Sequence, residues 1–285
     1  ELKNRIEKII NHQELLELKE DLKIYWQDSK IAEIKPGKNY LNPVIKLFID
    51  DTLEDNDFSN LKLTIENWIE KEKQKHLSDL ISIEKTSLKN SLARGLAYQL
   101  FENNGVLNRE TASNMIKNLN KEERYELRKK GIKIGKYHIY QPRMIRPNAI
   151  KFKTILWKCF NSTKEMSYPN FGINFLKNFK NKNKNFLRIC GFETFGNFII
   201  RVDILERLFI EIINRSKDYK FKLDSKILNL LGCTKDDFVN FIKLIGYKVI
   251  NEKNEPEFKY LPKKILKNKE KKATNAFSVL ENYKI

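Results

Sequence analysis

The residues best able to hold a metal or attack a substrate are His12, His76 and His138 together with Cys159, Cys190 and Cys233, and their spacing argues against both chemistries. Zinc ligands come as pairs a few positions apart. Here no histidine stands beside a cysteine or a pair of acids at such spacing, and three scattered cysteines make no disulfide framework. His138, between Tyr137 and Ile139 in an expected strand, reads as a hydrogen-bonded surface histidine for which a phosphate or base contact is open. Glu122–Glu123 and Asp236–Asp237 read as helix-start acids favoured by the macrodipole, not as general acid/base pairs. Gly131-Ile-Lys-Ile-Gly135 lacks the strand-before, helix-after setting of a phosphate loop and reads as hairpin punctuation. Cys233, after Gly232, reads as a small buried residue.

What remains is electrostatic chemistry. The chain carries 55 Lys+Arg against 37 Asp+Glu, a net charge of +18. Its richness in Lys, Asn and Ile, with only 11 arginines, is what AT-rich coding produces, so position says more than the total. Residues 1–90 net −3, 91–160 net +10 and 161–285 net +11; between Arg128 and Arg188 there are 16 basic residues and one acid, Glu165. Such clustering points to a surface facing a polyanion, because Lys and Arg bind phosphates with release of counterions. The alternative is a solvated cationic face. The candidate contacts are Arg128, Lys129, Lys130, Lys133, Lys136, Arg143, Arg146, Lys151 and Lys153 for phosphates, with Tyr137 or Tyr140 for stacking on an unpaired base. Each tyrosine has an equally open alternative, packing in its own hairpin.

The elements that must position these residues follow from periodicity. A chain of 285 residues predicts about two domains. No apolar run approaches the roughly 20 residues that cross a bilayer, and the opening residues are no signal peptide, so a cytoplasmic protein without membrane contact is expected. Residues 1–22 read as a polar helix, and LKIYWQDSKIAEI as a hairpin turning at Gln27–Asp28–Ser29. From about Asp57 a helix turns Leu63, Trp68 and Ile69 to one face. A second, from about Ser87 to Asn103, spaces Leu88, Leu92, Leu96 and Leu100 by four and closes at Asn104–Gly105. Two short helices follow, the first capped by Asn108 and the second by an Asn120/Glu123 capping box. GIKIGKYHIYQP is a hairpin, and Pro147 opens a further helix. Residues 161–186 read as a Lys/Asn-rich linker. Beyond it come a short hairpin, a helix from about Val202, two more helices and a two-strand ribbon. The expected fold is mainly α with small β-hairpins (α+β): an N-terminal hairpin element (1–56), a first winged-helix-like unit (57–160), the linker, a second such unit (187–262) and a basic tail (263–285).

At ARGLAYQLFENNGVLNR (93–109), RKKGIKIGKYHIYQPRMIRPNAIKFKTILW (128–157), IIRVDILERL (199–208) and LLGCTKDDFVNFIKLIGYKV (230–249) the chain resembles the C-terminal region of bacterial helicase-related proteins of superfamily two. These are relatives of the ATP-dependent RNA helicase of the mitochondrial degradosome. The resemblance runs in order over about residues 20–262, and 128–157 is its most specific block. It implies an accessory nucleic-acid-contacting region lying after two motor domains, with those domains, in cis or in trans, and RNA or DNA as partners. Several basic positions are Lys where Arg is expected, which keeps phosphate attraction and weakens bidentate base contact. There is no GxxxxGK[ST] loop and no acidic metal-binding box. ATP and Mg are therefore expected only in motor domains absent from this chain, and no catalytic residue is assigned. A chain opening at Glu1 in mid-helix reads as a fragment or split partner. The helix at 234–245 opens on two aspartates and is a poor base reader, so a sequence-specific winged-helix regulator is the alternative, and a protein-interaction scaffold a third. The second unit is expected to be mainly structural or to touch a partner.

Overall fold

The computed structural model describes residues 2–48, 55–84, 88, 90–163, 166–251 and 256–260. The expected basic tail lies outside the described residues. The fold is mixed α+β with small antiparallel sheets. Among the described residues no helix is long and apolar enough to cross a membrane.

Helix α1 (Leu2–Asn11) buries Ile6 and Ile9 and ends earlier than its helix-friendly continuation suggests. Leu16–Leu18 is instead strand β1, with Leu16 opposite Trp26, because pairing with a neighbouring strand overrides weak helix propensity. It opens a four-stranded sheet with β2 (Lys23–Trp26), β3 (Ser29–Lys35) and β4 (Val44–Leu47), in that order. The expected hairpin turns at Gln27, whose φ is +54°. One face of this sheet buries Ile24, Ala32, Ile34 and Ile45. Across its strands, Lys23, Glu33 and Lys46 stand in one row, so charges alternate in sign.

Helix α2 (Asp55–Glu84) is the spine, with a local departure from helical geometry at Leu77. Its buried stripe is Leu61, Ile65, Trp68 and Ile69, spaced i, i+4, i+7, i+8 as one helix face requires. Leu63 is 56% exposed, so its expected place on that face is wrong: two positions from Leu61, it is rotated by some 200°.

Helix α3 (Ser91–Glu102) starts later than expected because Asn90 caps it, accepting from the Leu92 N–H. Asn104 and Gly105, both at positive φ, close it, and the Gly105 N–H reaches the Leu100 carbonyl at 2.9 Å. Then come β5 (Val106–Asn108), α4 (Ser113–Asn118), α5 (Lys121–Lys129), β6 (Lys133–Ile134) and β7 (His138–Tyr140). Asn108 caps the short turn before α4, and the Asn120/Glu123 capping box is present. After α6 (Pro147–Phe160) the stretch read as a linker carries β8 (Phe175–Lys177) and the start of α7 (Lys184–Ile189), capped by Asn183. Strands β9 (Phe192–Phe195) and β10 (Phe198–Arg201) follow. The chain then runs through α8 (Val202–Arg215), β11 (Lys220–Lys222), α9 (Ser225–Leu231), α10 (Lys235–Leu244), β12 (Tyr247–Asn251) and β13 (Glu257–Tyr260). The three small sheets share one arrangement, β5-β7-β6, β8-β10-β9 and β11-β13-β12, with the last strand always in the middle.

The largest core joins the N-terminal sheet, α2, α3 and α6; a second gathers α8, α9 and α10 around Phe238, Phe241 and Phe258. Val106, Tyr140, Ile145 and Val202 form a small cluster between them.

Candidate nucleic-acid interface

The β6–β7 hairpin meets α8 through an unusual set of bonds. Glu206, buried on α8, accepts three successive backbone N–H groups, from Lys136 at 2.5 Å, Tyr137 at 2.9 Å and His138 at 2.8 Å. His138 is 1% exposed, with Nδ1 3.3 Å from Glu206 and Nε2 2.9 Å from Glu193, which also faces Arg188. It is therefore no surface histidine and offers nothing to a phosphate or base. Burial by itself would lower the His138 pKa, but hydrogen bonds and charge from Glu193 and Glu206 hold it above the usual value. Burial pushes the other way on Glu193 and Glu206, and their hydrogen bonds hold both carboxyls below the usual range. Gly135 is what lets the hairpin come this close to α8. A Cβ there would sit 2.3 Å from a Glu206 oxygen.

Between this hairpin, α5 and α8 lies an open groove of about 620 Å³. Arg109, Arg124, Arg128, Lys133, Lys136 and Arg207 line it, with Tyr140 and Glu206. Arg109 donates to the Gly135 carbonyl, and Arg124 to the carbonyls of Leu119 and Ile116, so two guanidiniums are fixed by backbone. Arg128, Lys133, Lys136 and Arg207 are exposed and have no ion-pair partner among the described residues. The one carboxylate, Glu206, is already committed to the hairpin and His138. The groove thus holds a concentrated positive field with its acid spoken for, a setting that attracts anions.

Of the residues picked from the sequence, Arg128, Lys133, Lys136 and Tyr140 meet here. Tyr140 is 6% exposed, and burial pushes its hydroxyl up to about 12, so it forms the floor and not a stacking platform. Tyr137 lies face to face on Phe209, 3.9 Å between centroids, and packs as its alternative reading had it. Lys129 and Lys130 stand at the end of α5 beside the groove without lining it, and Lys129 sits over the Tyr125 ring. Arg143 pairs with Asp79 on α2 at 3.2 Å, and Arg146 is exposed at the start of α6. Lys151 belongs to a different groove, with Trp68, His76 and Tyr168. Lys153 is withdrawn altogether. It is fully buried, donates to the Asn104 carbonyl at 2.9 Å, and burial pushes its pKa down to about 7.

Arg109, Arg124 and Arg207 escaped the sequence reading, which weighed runs of basic residues. Arginine identity was the better signal: four of the chain's 11 arginines meet in this groove. Among the described residues no group of three His, Cys, Asp or Glu side chains could hold a metal ion. The chain matches no protein-family model, no curated protein and no solved structure.

Proposed function

We propose that this chain is the accessory nucleic-acid-binding region of an ATP-dependent helicase, holding or guiding single-stranded RNA or DNA by phosphate contacts with little sequence readout. The observation that carries the reading is the groove: six cations from four segments converge while its only carboxylate is engaged elsewhere. ATP hydrolysis belongs, on this reading, to motor domains outside the chain.

The units fit a winged-helix description. Each runs helix, strand, helix, helix, strand, strand (α3 to β7, then α8 to β13), with the first and last strands adjacent in the sheet. Their recognition-position helices are unsuited to base reading. Helix α5 opens Lys121-Glu122-Glu123, its Arg124 is tied to the carbonyls of Leu119 and Ile116, and Arg128 and Lys129 stand in its last turn. Helix α10 opens on Asp236 and Asp237, the latter held by Lys177 at 2.7 Å. Both features favour phosphate contact over sequence readout and speak against the regulator alternative.

Fluorescence anisotropy with labelled single-stranded and duplex RNA and DNA tests the reading. Micromolar binding is expected at low salt. The four unpaired groove cations alone predict a slope of log K against log salt of about −3 on single strands. The triple variant Lys133→Glu, Lys136→Glu, Arg207→Glu should lose at least tenfold in affinity. Unchanged affinity in that variant, or binding that ignores salt, would overturn the proposal.

A further inference from the structure

The sheet β11-β13-β12 packs its inner face on the second core through Phe221 and Phe258, whose rings are 5.1 Å apart. Alternation along the strands turns Lys220, Lys222, Lys248, Glu257 and Lys259 to the outer face. Pairing sets Lys259 directly opposite Lys220 on one side and Lys248 on the other. Three lysines therefore stand in one row across three strands. No carboxylate among the described residues lies within ion-pair distance of any of them. Like charges directly opposite one another destabilise a sheet. The same molecule avoids that cost in its N-terminal sheet, where the corresponding row is Lys23, Glu33, Lys46. On the outer face of β11-β13-β12 only Glu257, opposite Lys222, offsets four lysines.

We infer that this lysine row is a second phosphate-binding surface for the same class of nucleic acid that the groove holds. The inference rests on the reading above and extends it to a unit whose sequence suggested a structural role. Strands about 4.8 Å apart place the three ammonium groups in a line, which suits a linear polyphosphate and relieves their mutual repulsion.

The test compares two variants of the full chain on labelled oligo(dT): Lys220→Ala/Lys248→Ala/Lys259→Ala, and the groove variant Lys133→Glu/Lys136→Glu/Arg207→Glu. Three lost contacts should flatten the salt slope of the row variant by about 2 units. Raising salt from about 50 to about 200 mM then costs it roughly 20-fold less affinity than it costs the wild type. Its melting temperature should equal or exceed the wild-type value, since only repulsion is removed. An unchanged slope in the row variant with binding lost in the groove variant sinks the row and leaves the groove reading standing. The converse sinks the groove and keeps the row. A row variant that loses binding to phosphatidylserine vesicles while its oligo(dT) slope stays put also overturns the inference, making the face a membrane contact.

Discussion

Glu206 does more per atom than any other side chain here. It caps the turn at 136–138, shares His138 with Glu193, and forces glycine at position 135. The pH dependence follows from the directions of the shifts. His138 is raised in the fold, so its contribution is complete below the unfolded histidine value near 6.5 and fades as pH climbs through the folded one. Glu193 and Glu206 are lowered, so theirs is complete above about 4.3 and fades as pH falls through the folded values. Docking of the hairpin on α8 should be tightest between about pH 4.3 and 6.5 and weaken on the alkaline side. Denaturant midpoints measured across pH check this, and His138→Gln should abolish the alkaline loss. Glu206→Gln strands His138 and two or more backbone N–H groups, at about 3–5 kcal/mol, read from the same unfolding curves. None of this was legible in the sequence. The apolar neighbours of Glu206 on α8 signal a buried helix but not a buried carboxylate, and its backbone partners are some 70 positions away.

At the scale of elements, local signals served well and non-local ones did not. The capping box at Asn120/Glu123, the left-handed close at Asn104–Gly105 and Pro147 at the start of α6 are each written within four residues. Strand β8 is not, because three residues show no periodicity and their only reason to be extended is β10, over 20 positions away. The same limit explains β1, drawn out of a helical context by Trp26. Leu63 failed for another reason, since helix phase was guessed from too few apolar positions. The corrected phase makes a sharp prediction. Leu61→Ala, at 0% exposure, should cost about 2–5 kcal/mol. Leu63→Ala should stay within about 0.5 kcal/mol of wild type. Chemical denaturation of the two variants side by side distinguishes them.

For the whole molecule, the charge asymmetry pointed to the stretch that holds Arg128, Lys133 and Lys136 and left out Arg109, Arg124 and Arg207, which line the same groove. Runs of lysine dominated the sequence signal, whereas the groove collects residues from positions 109 to 207 that no local window joins. What joins them is the seam between the two cores: the Tyr137–Phe209 stack, the His138–Glu206 contact and the Val106/Tyr140/Ile145/Val202 cluster. Thin seams of this kind leave cooperativity exposed to single changes. Tyr137→Ala should divide thermal unfolding into two calorimetric transitions where the wild type shows one, and a single unshifted transition would show that the cores are coupled elsewhere.

The groove has walls of different parentage: Arg128, Lys133 and Lys136 come with the hairpin side, Arg207 and Glu206 with α8. A strand lying in it touches both at once. By linkage, whatever free energy that strand gains from the assembled groove is returned as adhesion between the walls. On the proposed reading the nucleic acid would act as the mortar of the seam, and a strand drawn through it would meet a socket that tightens when filled and loosens when empty.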